Sequence, residues 1–309
     1  MRILLIAGGW SSERAVSLSG AENIQQALSD ANHDVTFCDL SIHFAQLPEL
    51  AAQHDFAFIN LHGAPGEDGL VQAMLEKSNC PYQGSGPEAS FLALDKAASK
   101  IIFAQHKITT PAWELVPVLP ETGRAIRLEL PVFIKPNSGG SSVGMSLVRT
   151  EEEIIPALQK VFDLGGIALV EELVEGDELT CAILGETPLP LIQIKPKADA
   201  DFFDYENKYA EDGAEEICPA PVEKTLWDTI QKETLAAHKA LGLAGYSRAD
   251  FIVRDGIPYM LEINTLPGMT STSLVPQAAN EAGFDFTALL EELIALGLKK
   301  HTTKQTCSS

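Results

Sequence analysis

The chain opens on an unbroken apolar run, Ile3 to Ala7, which predicts a buried strand over residues 2–7. A glycine turn follows, and then Val16, Gly20, Ile24 and Ala27/Leu28 recur at helical spacing to about residue 29. Val35 and Phe37 alternate within a strand at 34–40, a further strand is predicted at 55–61, and a helix at 70–77. Strands alternating with helices predict a parallel, doubly wound sheet for this first unit, which ends at Ser85-Gly86-Pro87. Proline suits the start of the next helix, predicted to run from 87 to about 107. Strands are expected at 113–117, 131–135 and 145–148. Thr150 and Glu153 have capping-box spacing at the head of a helix that contains Pro156, a candidate kink, and closes at Gly165-Gly166. Strands at 167–172, 178–184 and 189–195 precede a helix at 222–241 with Leu226, Ile230 and Ala237 on one face. A hairpin is predicted at 247–264, and the polar stretch after Leu298 reads as a frayed tail.

Length and composition narrow the class. The 309 residues exceed what one core usually serves, so two or three domains are expected. Acidic residues outnumber basic ones 43 to 22, for a net charge of −21, which disfavours nucleic acid and anionic membrane as partners. The same imbalance means that a site for a phosphate ligand must concentrate its few cations. Five cysteines without regular spacing, Cys38, Cys80, Cys181, Cys218 and Cys307, read as small hydrophobes in a reducing cytosol. The first apolar run is too short for a secretory leader, and no run reaches the ~18 residues of a membrane span, so a soluble cytoplasmic protein is expected.

Four stretches carry candidate chemistry. Gly139-Gly140-Ser141-Ser142-Val143-Gly144 lies between two predicted strands and follows Lys135. Glycines let backbone amides wrap phosphate oxygens, and Lys135 would neutralise their charge. The loop matches neither the Walker nor the dinucleotide spacing. The hairpin carries Arg248 and Asp250 on one strand and Glu262 and Asn264 on the other, each pair two apart and so on one face. A two-residue Asp255-Gly256 turn would split the acids, whereas an odd-length turn brings all four together. Two carboxylates and an amide oxygen suit Mg held jointly with phosphates. From Glu262 the chain turns at Pro267-Gly268 into hydroxyl-rich sequence before a helix, where amides form an anion pocket. Glu13 stands at the head of the first helix and His62 after the third strand, both beyond carboxyl ends of strands, where open α/β sheets bind ligands.

Taken together and in order, these stretches resemble D-alanine–D-alanine ligases of the ATP-grasp fold. The matching pieces are 8–18, Leu61-His62-Gly63 with Gly66-Glu67-Asp68-Gly69, 82–86, Asp95-Lys96, 135–145, 203–209, Arg248-Ala249-Asp250 and 262–274. The resemblance covers residues 1 to 295 and implies an α/β architecture: an N-terminal substrate-binding domain (1–86), a central domain (87–174) and a C-terminal domain (175–309), the last two α+β and gripping ATP. It implies a homodimer that takes D-alanine and ATP, with two Mg ions for which Mn can substitute.

Position by position, the resemblance assigns Lys96, Lys135 and Ser142 to the ATP phosphates, with Lys208 at the γ-phosphate. Glu171 and Val174 would meet adenine, and Glu178 the ribose. Asp250, Glu262 and Asn264 would hold the metals. Glu13 would bind the first ammonium, with Ser141 and Tyr209 completing a hydrogen-bonded unit that closes the site. His62 would lie at the substrate. Arg248 and the Gly268 amide would meet the oxyanion, and Ser273 and the Leu274 amide the second carboxylate. The aromatic stretch 199–212 would form a lid. One departure stands out: Glu172 occupies a place where some relatives have lysine. The rival readings are a ligase making D-alanyl-D-lactate or D-alanyl-D-serine, another carboxylate–amine ligase, and a silent ATP-binding scaffold, which is disfavoured because each metal and phosphate position that can be matched is filled.

Overall fold

The computed structural model describes residues 1–120, 125–140, 143–196 and 214–307. Strand β1 (Arg2–Ala7) pairs in parallel with β2 (Asp34–Asp39) on one side and β3 (Phe56–Asn60) on the other. Ile3 to Ala7 are all buried, as the unbroken apolar run requires of a central parallel strand. The helix Arg14–Asp30 covers the sheet with Gly20, Ala21, Ile24 and Leu28.

The second sheet has the order β4 (Trp113–Val116), β7 (Ala168–Glu172), β5 (Val132–Pro136), β6 (Ser146–Val148), antiparallel throughout. One face is covered by the helix Glu151–Asp163, which buries Ile154, Ala157, Leu158 and Val161 and runs on through Pro156. Its start is capped as expected, with Glu153 accepting from the Thr150 amide at 3.2 Å. The third sheet has the order β11 (Ala214–Ile217), β10 (Ile192–Pro196), β8 (Asp177–Leu184), β12 (Tyr246–Arg254), β13 (Ile257–Asn264), with the short β9 (Thr187–Pro188) on β8. The expected strand at 189–195 thus begins only at Ile192.

Core membership does not follow chain order. Helices Pro87–Leu94 and Lys96–Gln105 contribute Ala89, Ala93 and Phe103 to the core of the third sheet, beside Phe251 and Met260. The last helix, Phe286–Cys307, returns to the first sheet, where Leu289, Leu290, Leu293 and Ile294 share a core with β1 and β3. Gly297 permits that contact, since a Cβ there would lie 2.6 Å from the Tyr82 carbonyl and 2.8 Å from the Phe56 ring.

Two expectations need correction. The helix predicted at 87–107 is two helices, broken at Asp95, whose extended backbone and side chain cap the second by accepting from the Ala98 amide at 2.9 Å. The stretch after Leu298 is helical to Cys307 and anchored. Lys300 Nζ lies 3.7 Å from the Tyr82 ring centre and donates to the Gly84 carbonyl at 2.7 Å, and Lys304 pairs with Glu76 at 2.5 Å.

Candidate active site

The hairpin resolves the alternative that the sequence left open. Its turn has two residues, Asp255 and Gly256, with φ of 53° and 76°, and pairs Arg254 with Ile257. That register holds to Phe251 opposite Met260 and then shifts at a bulge between Asp250 and Phe251. Leu261 becomes the extra residue, Asp250 stands opposite Glu262, and Arg248 opposite Asn264. All four polar side chains therefore share a face. Asp250 is buried and saturated with donors: Arg248 through Nε at 2.8 Å and Nη2 at 2.7 Å, Thr180 Oγ1 at 2.9 Å and Asn264 Nδ2 at 3.1 Å. Glu262 lies 3.2 Å from Lys96 Nζ.

A cleft of about 450 Å³ opens between the second and third sheets. Lys96, Lys135, Glu171, Val174, Glu178 and Glu262 all line it, so the residues expected at the nucleotide converge. Lys96 is placed by the Asp95 break. Asn137 donates to Asp95 at 2.8 Å and accepts from the Ala97 amide at 2.9 Å, tying the glycine loop to the helix start, and Lys96 Nζ donates to the Gly139 carbonyl at 2.5 Å. At the floor, Glu171 is paired with both Lys135 and Lys100. Burial alone would raise the Glu171 carboxyl, but Lys135 and Lys100 hold it below its ordinary range. Burial pushes Lys100 down against the pull of Glu171, whereas Lys135, facing Glu171 and Glu262, is raised despite its desolvation.

The sequence reading missed two features here. Lys100, buried beneath the cleft against Glu171, is one; its signal was the spacing of four from Lys96, which puts both lysines on one helix face. The other is the apolar wall of Phe133, Leu147, Ile252 and Leu261. Phe133 alternates with the core residues Val132 and Ile134, so it faces away from the core; an apolar residue there marks a covered surface rather than solvent. Glu172, the departure from relatives, lies 3.9 Å from Arg254, whose guanidinium also donates to the Tyr259 hydroxyl at 2.8 Å.

The first unit reaches the site from its strand ends. Glu13 occupies the N-cap position of the first helix but makes no side-chain cap. Its buried carboxylate instead lies where a Cβ on Gly140 would come within 3.1 Å of Oε2, so the glycine loop closes onto it. His62 is buried, with Nδ1 3.1 Å from the Leu266 carbonyl. Burial lowers its pKa, the charge of Glu13 opposes that, and Arg248 adds to it, which places His62 among residues from both units. Glu67 was matched only as part of a motif, yet it belongs here. It accepts from the Gly63 amide at 2.7 Å and the Leu266 amide at 3.4 Å, and burial pushes it up to about 7.

Past β13, Ser273 occupies the N-cap position of the helix Leu274–Glu281 but makes no side-chain cap; its Oγ instead accepts from the Thr270 amide of the preceding turn at 3.1 Å. Gly268 packs against it, since a Cβ there would lie 2.9 Å from Ser273 Oγ. Ser141, Ser142, Lys208, Tyr209 and the stretch 199–212 lie outside the described residues.

Comparison with known proteins agrees along the length of the chain. A family model described as "D-ala D-ala ligase C-terminus" matches residues 109–295. A D-alanine--D-alanine ligase of Maridesulfovibrio salexigens is 60% identical over 300 residues, covering 97% of this chain and 99% of the relative. One from Nitratidesulfovibrio vulgaris is 54% identical, covering 96% and 98%. Among solved structures, the D-alanine--D-alanine ligase from Bacillus anthracis complexed with ATP superposes with a TM-score of 0.87 at 35% identity, over 98% of this chain and 99% of that one. The ligase from Coxiella burnetii gives 0.83 at 25% identity, over 99% and 96%.

Proposed function

The chain belongs to the D-alanine–D-alanine ligase family, and from that premise we propose that it joins two D-alanines with conversion of ATP to ADP and phosphate, supplying D-alanyl-D-alanine for peptidoglycan precursors. A carboxylate is a poor electrophile. Transfer of the γ-phosphoryl group to the first D-alanine gives an acylphosphate, the second amine attacks its carbonyl, and phosphate leaves as the peptide bond forms.

The site supports a role for each group. Glu13 receives the first ammonium at the point where the glycine loop meets the first unit. Lys96 and Lys135 line the cleft and face the phosphates, and Glu171, Val174 and Glu178 face the nucleoside. Arg248 and the Gly268 amide meet the oxyanion, and Ser273 and the Leu274 amide hold the second carboxylate. Asp250, Glu262 and the Asn264 carbonyl are hard oxygen donors on one face, a set that fits two Mg ions, or Mn in their place. Among the described residues no cluster of three or more His, Cys, Asp or Glu forms a cage, so phosphate oxygens would complete the coordination. Ions bound there would neutralise phosphate charge. Family membership supports a cytoplasmic homodimer, and no helix among the described residues is long and apolar enough to cross a membrane.

The observation that carries the reading is the bulge, which brings two carboxylates together beside a cleft lined by Lys96 and Lys135. The test is phosphate release with ATP and Mg against a panel of D- and L-amino acids and D-lactate, with products weighed by mass spectrometry. D-alanine should drive phosphate release and yield D-alanyl-D-alanine. No D-alanine-dependent release, or D-alanyl-D-lactate as the main product from mixed substrates, would refute the proposal.

A further inference from the structure

Three ammonium groups and two carboxylates meet at the floor of the cleft, and one of the five has no access to a ligand. Lys96 and Lys135 line the cleft; Lys100 does not, and its side chain is 0% exposed. Its Nζ lies 2.5 Å from Glu171 Oε1 and contacts the Thr110 hydroxyl, while the other oxygen of Glu171 is paired with Lys135. Burying an ammonium is costly unless a partner compensates it. The partner here is a carboxylate that already has a cation, so Lys100 is not needed to neutralise Glu171 in the arrangement described.

The need arises when Lys135 leaves. On the reading proposed above, Lys135 turns from Glu171 toward the phosphates of ATP. With Lys135 as sole counter-charge, that turn would strand a buried carboxylate, and the cost would come out of nucleotide affinity. We infer that Lys100 is a positioning residue: it stays on Glu171 as a fixed counter-ion, so that Lys135 can exchange Glu171 for the nucleotide phosphates. The geometry supports this division. The two lysines take different oxygens of one carboxylate, from different elements, the helix Lys96–Gln105 and β5, and only the one on β5 opens on the cleft. The inference rests on the nucleotide reading of the cleft.

The test places Lys100→Met in two backgrounds, wild type and Glu171→Gln, and measures ATP dissociation constants by calorimetry alongside melting temperatures. In the wild-type background Lys100→Met should weaken ATP about tenfold or more, with KM for ATP rising more than kcat falls. In the Glu171→Gln background, where no carboxylate charge remains to be held, the same substitution should change ATP affinity less than about twofold. A folded Lys100→Met single variant that binds ATP as wild type does overturns the inference. So does an equal loss in both backgrounds, which would make Lys100 a packing residue. If the single variant fails to fold, the comparison within the Glu171→Gln background decides: equal affinities support the counter-ion role and a tenfold gap overturns it. Wild-type protein that binds no ATP would remove the nucleotide reading itself and this assignment with it, whereas wild-type binding with no effect of Lys100 removes the assignment alone.

Discussion

Glu67→Gln should stabilise the ligand-free protein at alkaline pH and lose that advantage in acid. Glu67 sits under the site with its carboxylate facing the Gly63 and Leu266 amides. Burial pushes its pKa up from an ordinary 4.5 to about 7; the Gly63 hydrogen bond opposes this, and the charges of Glu13 and Glu262 add to it. The folded state thus holds this proton to a higher pH than the unfolded state does. Between those two values the folded chain binds more protons, so stability falls as pH rises, and the penalty levels off above about 7. The interval corresponds to about 3 kcal/mol at full burial, and because the side chain is only half-buried, about 1–3 kcal/mol is expected. Glutamine mimics the neutral acid and keeps an oxygen for the Gly63 amide, so it escapes the penalty. The assay compares melting temperatures of the two proteins without nucleotide or metal at pH 5.5, 6.5, 7.5 and 8.5, above the acidic isoelectric point near 4.6. The gap in favour of the variant should widen by a few degrees from the first pH to the third and then stay constant. A gap that is flat with pH, or that narrows toward alkaline pH, would show that Glu67 is not held protonated by its surroundings.

Three further outcomes follow from the site and the tail. Glu262→Gln should keep its melting temperature but lose at least about 3 kcal/mol of transition-state stabilisation, read as phosphate release at limiting Mg; near-normal turnover would reject the metal face. Gly140→Ala places a methyl 3.1 Å from Glu13 Oε2 and should raise KM for the first D-alanine several-fold, by about 1 kcal/mol, with little change in kcat. Removing residues 299–309 should lower the melting temperature by several degrees, since Lys300 on Tyr82 and Lys304 on Glu76 would contribute about 1–2 kcal/mol together, whereas a frayed tail would be lost without effect.

Most elements were legible because their patterns are local. An unbroken apolar run gives β1 and the three-four spacing gives the first helix, each from a handful of neighbours. What was missed depends on contacts far along the chain. Asp95 breaks a helix inside a continuous helical pattern, because its carboxylate is wanted by both the Ala98 amide and Asn137 of the glycine loop. The polar tail stays helical because Tyr82, Gly84 and Glu76 receive its lysines. The bulge is the plainest case. Each strand of the hairpin fixes its own alternation, but the offset between them does not follow from the turn, which is the two-residue form that would have split the acids. The register of β12 is held on its other side by β8, where Thr180 pairs with Asp250 and hydrogen-bonds its carboxylate. The face that carries the candidate chemistry is thus set by a third strand about 70 residues away, which no reading of the hairpin alone contains.

The charge balance of the chain links these pieces. With 43 acidic and 22 basic residues, an anionic ligand meets an unfavourable surface, so cations must be gathered where it binds. Lys96, Lys100 and Lys135 are gathered there, but three ammonium groups in a partly dry cleft would repel one another and destabilise the fold. Glu171 and Glu262 remove that penalty by standing between them. The same two carboxylates are the groups proposed to face adenine and metal once Lys96 and Lys135 turn to phosphate, with Lys100 staying on Glu171. On that proposal the acids that pair the lysines are also those that serve the bound nucleotide, and binding would proceed by exchange of partners inside the cleft rather than by exposure of new charge. An acidic protein can hold a phosphate site on those terms because the lysines that need neutralising are few and already paired.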